Sequence, residues 1–93
     1  MSLDPVLFDS VAYETANETF SFCMGFLEQK GLPTVADRLK GFEPVNTSSQ
    51  GVAALRALRT VRPLVAGEAR EYVDIAINAV KHALGTYELA HVA

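Results

Sequence analysis

The clearest pattern along the chain is a run of small and apolar residues, spaced alternately four and three apart, in the C-terminal third. This spacing is typical of a heptad seam and predicts one long helix over about residues 68–91. The seam consists of Ala69, Val73, Ala76, Val80, Ala83, Tyr87 and Ala90. Because every second seam position is alanine, we expect a close approach to a neighbouring helix. That neighbour is either the first helix of the same chain or the same helix of a second copy.

Another long helix is predicted over about residues 4–30, where apolar residues again recur at helical spacing. Asp4 and Pro5 are typical of an N-cap and a first helical residue, with Ser10 as an alternative start. Gly31 and Pro33 predict the end of this helix, because glycine adopts the left-handed conformation easily and proline cannot continue a helix. Gly25 and Gly85 lie inside the two long predicted helices, where we expect them to mark close contacts with neighbouring helices.

Two short helices are predicted between the long ones. The first begins at Thr34, with Asp37 completing a variant of the capping box, and ends near Gly41. After a loop over residues 43–49, Ser48 or Ser49 is expected to cap a helix over about residues 50–62, which Pro63 ends. The sequence therefore predicts an all-α fold: a small bundle of four helices, two long and two short, in a single domain over residues 1–93.

Composition adds an expectation of self-association. The chain has 93 residues, of which 49% are hydrophobic, and its mean hydropathy is +0.16. A domain this small cannot hide so much apolar surface internally, so we expect a dimer. No uncharged apolar stretch approaches the roughly 20 residues of a membrane span. The N-terminus lacks the pattern of a signal peptide, and the single Cys23 lies among apolar residues, so we expect a cytoplasmic protein.

Aromatic crowding in the first helix gives the main functional lead. Apolar side chains there point nearly all round the helix axis, and a helix apolar on every side must be covered on every side. We predict that a partner protein or a second copy covers the extra surface. This predicted interface consists of Phe20, Phe22, Met24, Phe26 and Leu27. The alternatives are central burial within the monomer and cover by a small apolar ligand.

The net charge is −3, but the charges are unevenly distributed, with a basic segment between acidic flanks. Residues 38–62 carry five basic residues against one acid, whereas residues 1–37 carry six acids and one base. The basic segment either neutralises the flanks on folding or contacts an anionic partner through Arg56, Arg59 and Arg62. Residues 34–60 also place a short helix, a turn and a basic helix in the order of a helix-turn-helix motif. Their turn is longer than the usual three or four residues, and the pI of about 5.2 is low for a DNA-binding module.

Residues suited to catalysis are few. Cys23 lies on the most apolar stretch, where a small buried thiol is the usual role. Glu14 and Glu18, one turn apart, are expected to form a solvated acidic face, as are Asp74, Asn78 and His82. No cofactor or metal site is predicted. We therefore expect a non-enzymatic protein–protein interaction module (an adaptor, inhibitor or regulatory subunit) that forms a homodimer and also binds a partner through the apolar helical patch. The alternatives are a DNA-binding regulator that uses residues 38–62 and a helical bundle that binds a small apolar ligand or a metal.

Overall fold

Four α-helices separated by short connections make up residues 10–85, the part of the chain that the computed structural model describes. The helices are α1 (Ser10–Gln29), α2 (Pro33–Lys40), α3 (Ser48–Val61) and α4 (Gly67–Leu84), with a 3-10 turn at Arg62–Leu64. The predicted fold class, an all-α bundle with two long and two short helices, is confirmed. The predicted helix start at Asp4 and the seam residues Tyr87 and Ala90 lie outside the described residues.

The end of α1 has the geometry that its sequence predicts. Gly31 has a φ of 78°, in the left-handed region. Its N–H donates to the carbonyl of Glu28 at 3.2 Å, and the N–H of Leu32 donates to the carbonyl of Leu27 at 2.9 Å. These two bonds form a Schellman motif, which satisfies carbonyl groups that the end of a helix leaves without partners.

Two of the predicted helix caps are wrong. Helix α2 begins at Pro33 and has no side-chain cap, so Thr34 lies within the first turn. Proline fits this position because its fixed φ is helical and no N–H is needed there. Helix α3 is capped by Thr47, whose hydroxyl accepts from the N–H of Gln50 at 3.2 Å, and the Gln50 side chain accepts from the N–H of Thr47 at 3.1 Å. This is a complete capping box, one or two residues before the predicted serines.

As predicted, the helix does not continue through Pro63, which lies in the 3-10 turn between α3 and α4. At the far end of α4, Gly85 has a φ of 57°, so the predicted continuation of the helix through this residue is wrong. The predicted close contacts at Gly25 and Gly85 are not found within residues 10–85, where an added Cβ at either position would meet no atom within 4 Å beyond its own chain neighbours. The close approach occurs at Gly51 instead, where a Cβ would lie 2.7 Å from Cδ2 of Leu84.

Helix α4 packs on both α1 and α3 of its own chain, and its pairing with α1 is the most extensive in the described bundle. The seam residues within the described part of α4 are all buried: Ala69, Val73, Ala76, Val80 and Ala83. The large side chains of Phe20, Leu27 and Leu58 complete the same core from α1 and α3. No helix among residues 10–85 is both long enough and apolar enough to cross a membrane.

Candidate functional site

The structure divides the predicted partner interface into buried and exposed residues. Phe20 and Leu27 are completely buried within the chain, and Met24 is nearly so. These three side chains belong to the core, so their assignment to a partner interface is wrong. The reason is that α2 and α4 both pack on α1 and cover more of its circumference than expected.

The remaining two aromatic side chains lie beside Tyr72 of α4. The ring of Phe26 stacks on that of Tyr72, with the ring centroids 4.1 Å apart. The centroid of the Phe22 ring lies 5.5 Å from that of Tyr72. Nζ of Lys30 lies 5.4 Å from the Phe26 ring centroid and 3.8 Å from the Glu68 carboxylate. Phe26 is half-buried, but 62% of Phe22 remains exposed. The exposed apolar surface therefore centres on Phe22 and continues onto α4.

Two hollows follow this surface along the line where α1 and α4 meet, and we call them together the outer groove. One has a volume of about 270 Å³ and is lined by Glu18, Thr19, Phe22, Tyr72 and Ile75. The other, of about 320 Å³, is lined by Val11, Ala12, Thr15, Ala79 and His82. Ile75 is 53% exposed and Val11 is 69% exposed. Both helices thus present apolar side chains to solvent on the same side of the bundle.

Sequence reasoning missed the α4 half of the outer groove. Tyr72, Ile75 and Ala79 are spaced three and four apart, one position before the seam residues Val73, Ala76 and Val80. This second stripe was visible in the sequence and could have indicated an apolar surface on α4. Whether the stripe is exposed, however, depends on where α1 packs. One carboxylate, that of Glu18, lines the outer groove, and Lys30, whose Nζ lies near the Phe26 ring, forms an ion pair with Glu68.

A second groove lies between α2 and α3, and we call it the α2–α3 groove. Its volume is about 530 Å³. Its lining combines apolar side chains with two arginines: Arg38, Phe42, Ala53, Arg56, Ala57, Thr60 and Val61. Phe42 and Ala53 also line a smaller hollow of about 140 Å³, to which Glu43 and Pro44 contribute.

The three arginines predicted to contact an anionic partner have different surroundings. Arg56 lines the α2–α3 groove, whereas Arg59 is exposed outside that lining. Arg62 pairs with Asp74, at 2.5 Å from Nε to Oδ1 and 3.3 Å from Nη2 to Oδ2. This hydrogen-bonded pairing lowers the pKa of Asp74 and raises that of Arg62. Arg62 therefore contacts an acid of its own chain, and Asp74 is not the purely solvated carboxylate that was expected.

The connection between α2 and α3 is held by α1. Asn17 Oδ1 accepts from the N–H of Val45 at 3.0 Å, and the Ser21 hydroxyl donates to Glu43. The hydroxyls of Tyr13 and Ser48 are also hydrogen-bonded, at 3.0 Å. Seven residues, 41–47, separate the two helices. This long, anchored connection differs from the short turn of a helix-turn-helix motif.

The residues considered for catalysis are dispersed. Cys23 is buried, and burial raises the pKa of its thiol to about 11, so the thiol is protonated at neutral pH. Glu14 and Glu18 are both exposed. Within residues 10–85, no group of three or more histidine, cysteine, aspartate or glutamate side chains is placed to hold a metal ion.

Comparisons with known proteins give no relative from which to transfer a role. No family model, no curated protein and no solved structure matches the chain significantly.

Proposed function

We propose that this chain is a non-enzymatic, cytoplasmic protein-interaction module that forms a homodimer through the outer groove. The observation that carries the proposal is the exposure of Val11, Phe22 and Ile75 along one side of the α1–α4 pair. Solvent-exposed apolar side chains that form a connected surface are typical of protein interfaces. The location in the cytoplasm rests on the single, buried Cys23.

The dimensions of the outer groove suit contact with another helix pair. Val11 and Phe26 are 15 positions apart on α1, which corresponds to about 22 Å along a helix axis. In a two-fold dimer the same surface faces itself, so each Phe22 and Ile75 would fill a hollow of the other copy. The half-buried rings of Phe26 and Tyr72 would extend the apolar centre, and Glu18 would lie at its polar rim.

The test is a matched pair of substitutions, Ile75→Asp and Leu64→Asp. Both side chains are about half exposed, 53% and 51% respectively, but Leu64 lies in the 3-10 turn and does not line the outer groove. We expect the native chain and Leu64→Asp to have a molar mass near twice 10.1 kDa by light scattering. Ile75→Asp should be monomeric at the same concentration, since it would bury a charge at the interface. A native chain that stays monomeric at millimolar concentration would refute the homodimer.

The Glu18 carboxylate in the lining favours a second candidate, in which the outer groove binds an amphipathic helix of another protein. Such a helix would place apolar residues between Phe22 and Ile75 and a basic residue beside Glu18. Two synthetic helical peptides with the same apolar face, one flanked by lysine and the other by glutamate, separate the candidates. Salt-sensitive binding of the lysine peptide alone would support the heterologous partner. Equal binding of both peptides would count against it.

A further inference from the structure

The aromatic end of the outer groove has an electrostatic character that the proposed homodimer does not use. The hollow at this end, of about 270 Å³, is lined by Glu18, Thr19, Phe22, Tyr72 and Ile75. This volume lies below the range of about 300–1,000 Å³ that is typical of sites for drug-sized molecules. The hollow therefore suits one small chemical group rather than an extended ligand.

Two aromatic rings line this hollow side by side. The ring centroids of Phe22 and Tyr72 are 5.5 Å apart, and the ring planes are tilted by 33°. Tyr72 also stacks on Phe26, which restricts its movement. The Phe22 side chain is 62% exposed, so its ring is accessible to a ligand. Because aromatic rings attract a cation within about 6 Å of the ring centroid, both rings can contact one small cation in the hollow.

A cation of the chain itself already contacts this aromatic cluster. Nζ of Lys30 lies 5.4 Å from the Phe26 ring centroid and 3.8 Å from the Glu68 carboxylate. The hollow has the same two components, because Glu18 lies four positions before Phe22 on α1 and both line it. Residues with this spacing on a helix have Cβ atoms about 5–6 Å apart. The hollow therefore repeats the combination of ring and carboxylate that Lys30 contacts.

The polar groups of the lining decide which cation fits best. Glu18 is the charged residue of the lining, and the Thr19 hydroxyl donates to the Thr15 carbonyl at 2.7 Å. A primary ammonium has three N–H donors that need acceptors, whereas a quaternary ammonium has none and is recognised by aromatic rings. We propose that this hollow binds a trimethylammonium group, as in choline or trimethyllysine, against the rings of Phe22 and Tyr72 and beside Glu18.

The trimethylammonium site does not depend on the homodimer, because it exists in a single chain. A second copy would cover the hollow, so binding is measured at a dilution at which light scattering gives the mass of one chain. A native chain that never dimerises would refute the homodimer but leave this measurement valid. Failure of dimerisation and failure of ligand binding are therefore distinguishable.

The test is titration of the full chain with choline chloride at constant ionic strength, monitored by NMR of the backbone amides. The matched ligand is the alcohol in which an uncharged tert-butyl group replaces the trimethylammonium group. We expect the Kd of choline to be at least about fivefold lower, because only the cation is attracted by the rings and the carboxylate. Amide shifts should concentrate at Phe22, Tyr72 and Ile75. Equal Kd values for the two compounds, or an absence of binding, would overturn the proposal.

Peptides distinguish the two sources of a trimethylammonium group. Tighter binding of a short trimethyllysine peptide than of choline would indicate a methylated protein, and equal or weaker binding would indicate a small molecule. The same peptide with unmodified lysine should bind more weakly than its methylated form, because its N–H groups lose hydrogen bonds to water. Equal binding of the two peptides would contradict recognition of a quaternary ammonium.

Matched substitutions test the ring and the carboxylate separately. Phe22→Leu should raise the Kd for choline about fivefold, whereas Phe42→Leu, outside the outer groove, should leave it unchanged. Glu18→Gln should raise it about threefold, whereas Glu28→Gln, on the same helix but outside the lining, should not. Unfolding midpoints close to that of the native chain would show that the variants are folded. Weakening by either control as large as that by its counterpart would contradict the site.

Discussion

At the scale of single residues, Gly25 and Gly51 differ in what a side chain would meet. Gly25 lies within α1 and is exposed, with nothing within 4 Å of an added Cβ. Gly51 lies within α3, where an added Cβ would be 2.7 Å from Cδ2 and 3.3 Å from Cγ of Leu84. Leu84 is itself buried, so its Cδ2 would have to shift within the core to admit the added atom.

These environments predict opposite effects of alanine. Gly25→Ala should raise the free energy of unfolding by about 1 kcal/mol, because alanine favours the helix and adds no contact. Gly51→Ala should lower it, because the overpacking against Leu84 exceeds the same helical gain. Urea unfolding of the two variants measures the difference. If Gly51→Ala stabilises as much as Gly25→Ala, then α3 and α4 do not approach each other as described.

The Arg62–Asp74 pair gives a pH-dependent prediction at the same scale. Arg62 lowers the pKa of Asp74 in the folded state below its ordinary value of 3.8, by hydrogen bonding to the carboxylate. A carboxyl group whose pKa is depressed by folding stabilises the fold above its unfolded-state pKa. That contribution disappears as the pH falls through the lower, folded-state pKa.

We therefore expect Asp74→Asn to be less stable than the native chain at neutral pH. The difference in free energy of unfolding should shrink as the pH falls below 3.8. Urea unfolding across this pH range measures it, with Glu71→Gln as a control that removes an exposed carboxylate from the same helix. A difference for Asp74→Asn that is independent of pH would show that the ion pair does not stabilise the fold.

At the scale of the helices, the N-terminus of α3 depends on its capping box. Thr47→Ala removes the hydroxyl that accepts from the N–H of Gln50 and should cost about 1 kcal/mol of folding free energy. Ser49→Ala is the matched control, because Ser49 is exposed and lies after the cap. Chemical unfolding of both variants tests the assignment. Equal losses of folding free energy in the two variants, or a loss in Ser49→Ala alone, would show that Thr47 is not the N-cap of α3.

Helix ends differ in how far the local sequence determines them. Gly31 predicts its left-handed turn by itself, and Thr47 with Gln50 has the Thr-x-x-Gln pattern of a capping box, so this cap was predictable although Ser48 and Ser49 were preferred. The anchoring of the α2–α3 connection was not predictable in this way. Its bonds join Asn17 to Val45 and Tyr13 to Ser48, pairs separated by 28 and 35 positions. No local pattern encodes such contacts.

The candidate surfaces were harder to predict than the helices, for the same reason. Phe20 and Phe22 look equivalent as apolar residues of α1, yet one is buried and the other exposed. Two positions rotate a side chain to nearly the opposite side of a helix, so exposure depends on where α4 and α2 pack. The excess of apolar residues in α1 was visible in the sequence, but its contact with Tyr72 required the tertiary structure.

At the scale of the whole molecule, the described core is formed by side chains of a single copy of the chain. The largest buried side chains come from all the helices and include Phe20 of α1, Leu39 of α2, Leu58 of α3 and Val73 of α4. No buried side-chain nitrogen or oxygen among residues 10–85 lacks a hydrogen-bond partner. We therefore expect residues 10–85 to fold without a second copy, so that association through the outer groove adds stability to a folded monomer.

This separation of folding from association can be measured. If the native chain dimerises, its urea midpoint should rise with protein concentration, because dilution favours the less stable monomer. Ile75→Asp should give a midpoint independent of concentration and equal to that of the dilute native chain, whereas Leu64→Asp should retain the native dependence. The charge at Ile75 is tolerated in the monomer because the side chain is half exposed there. Loss of the folded state in Ile75→Asp at every concentration would instead mean that the outer groove belongs to the fold itself.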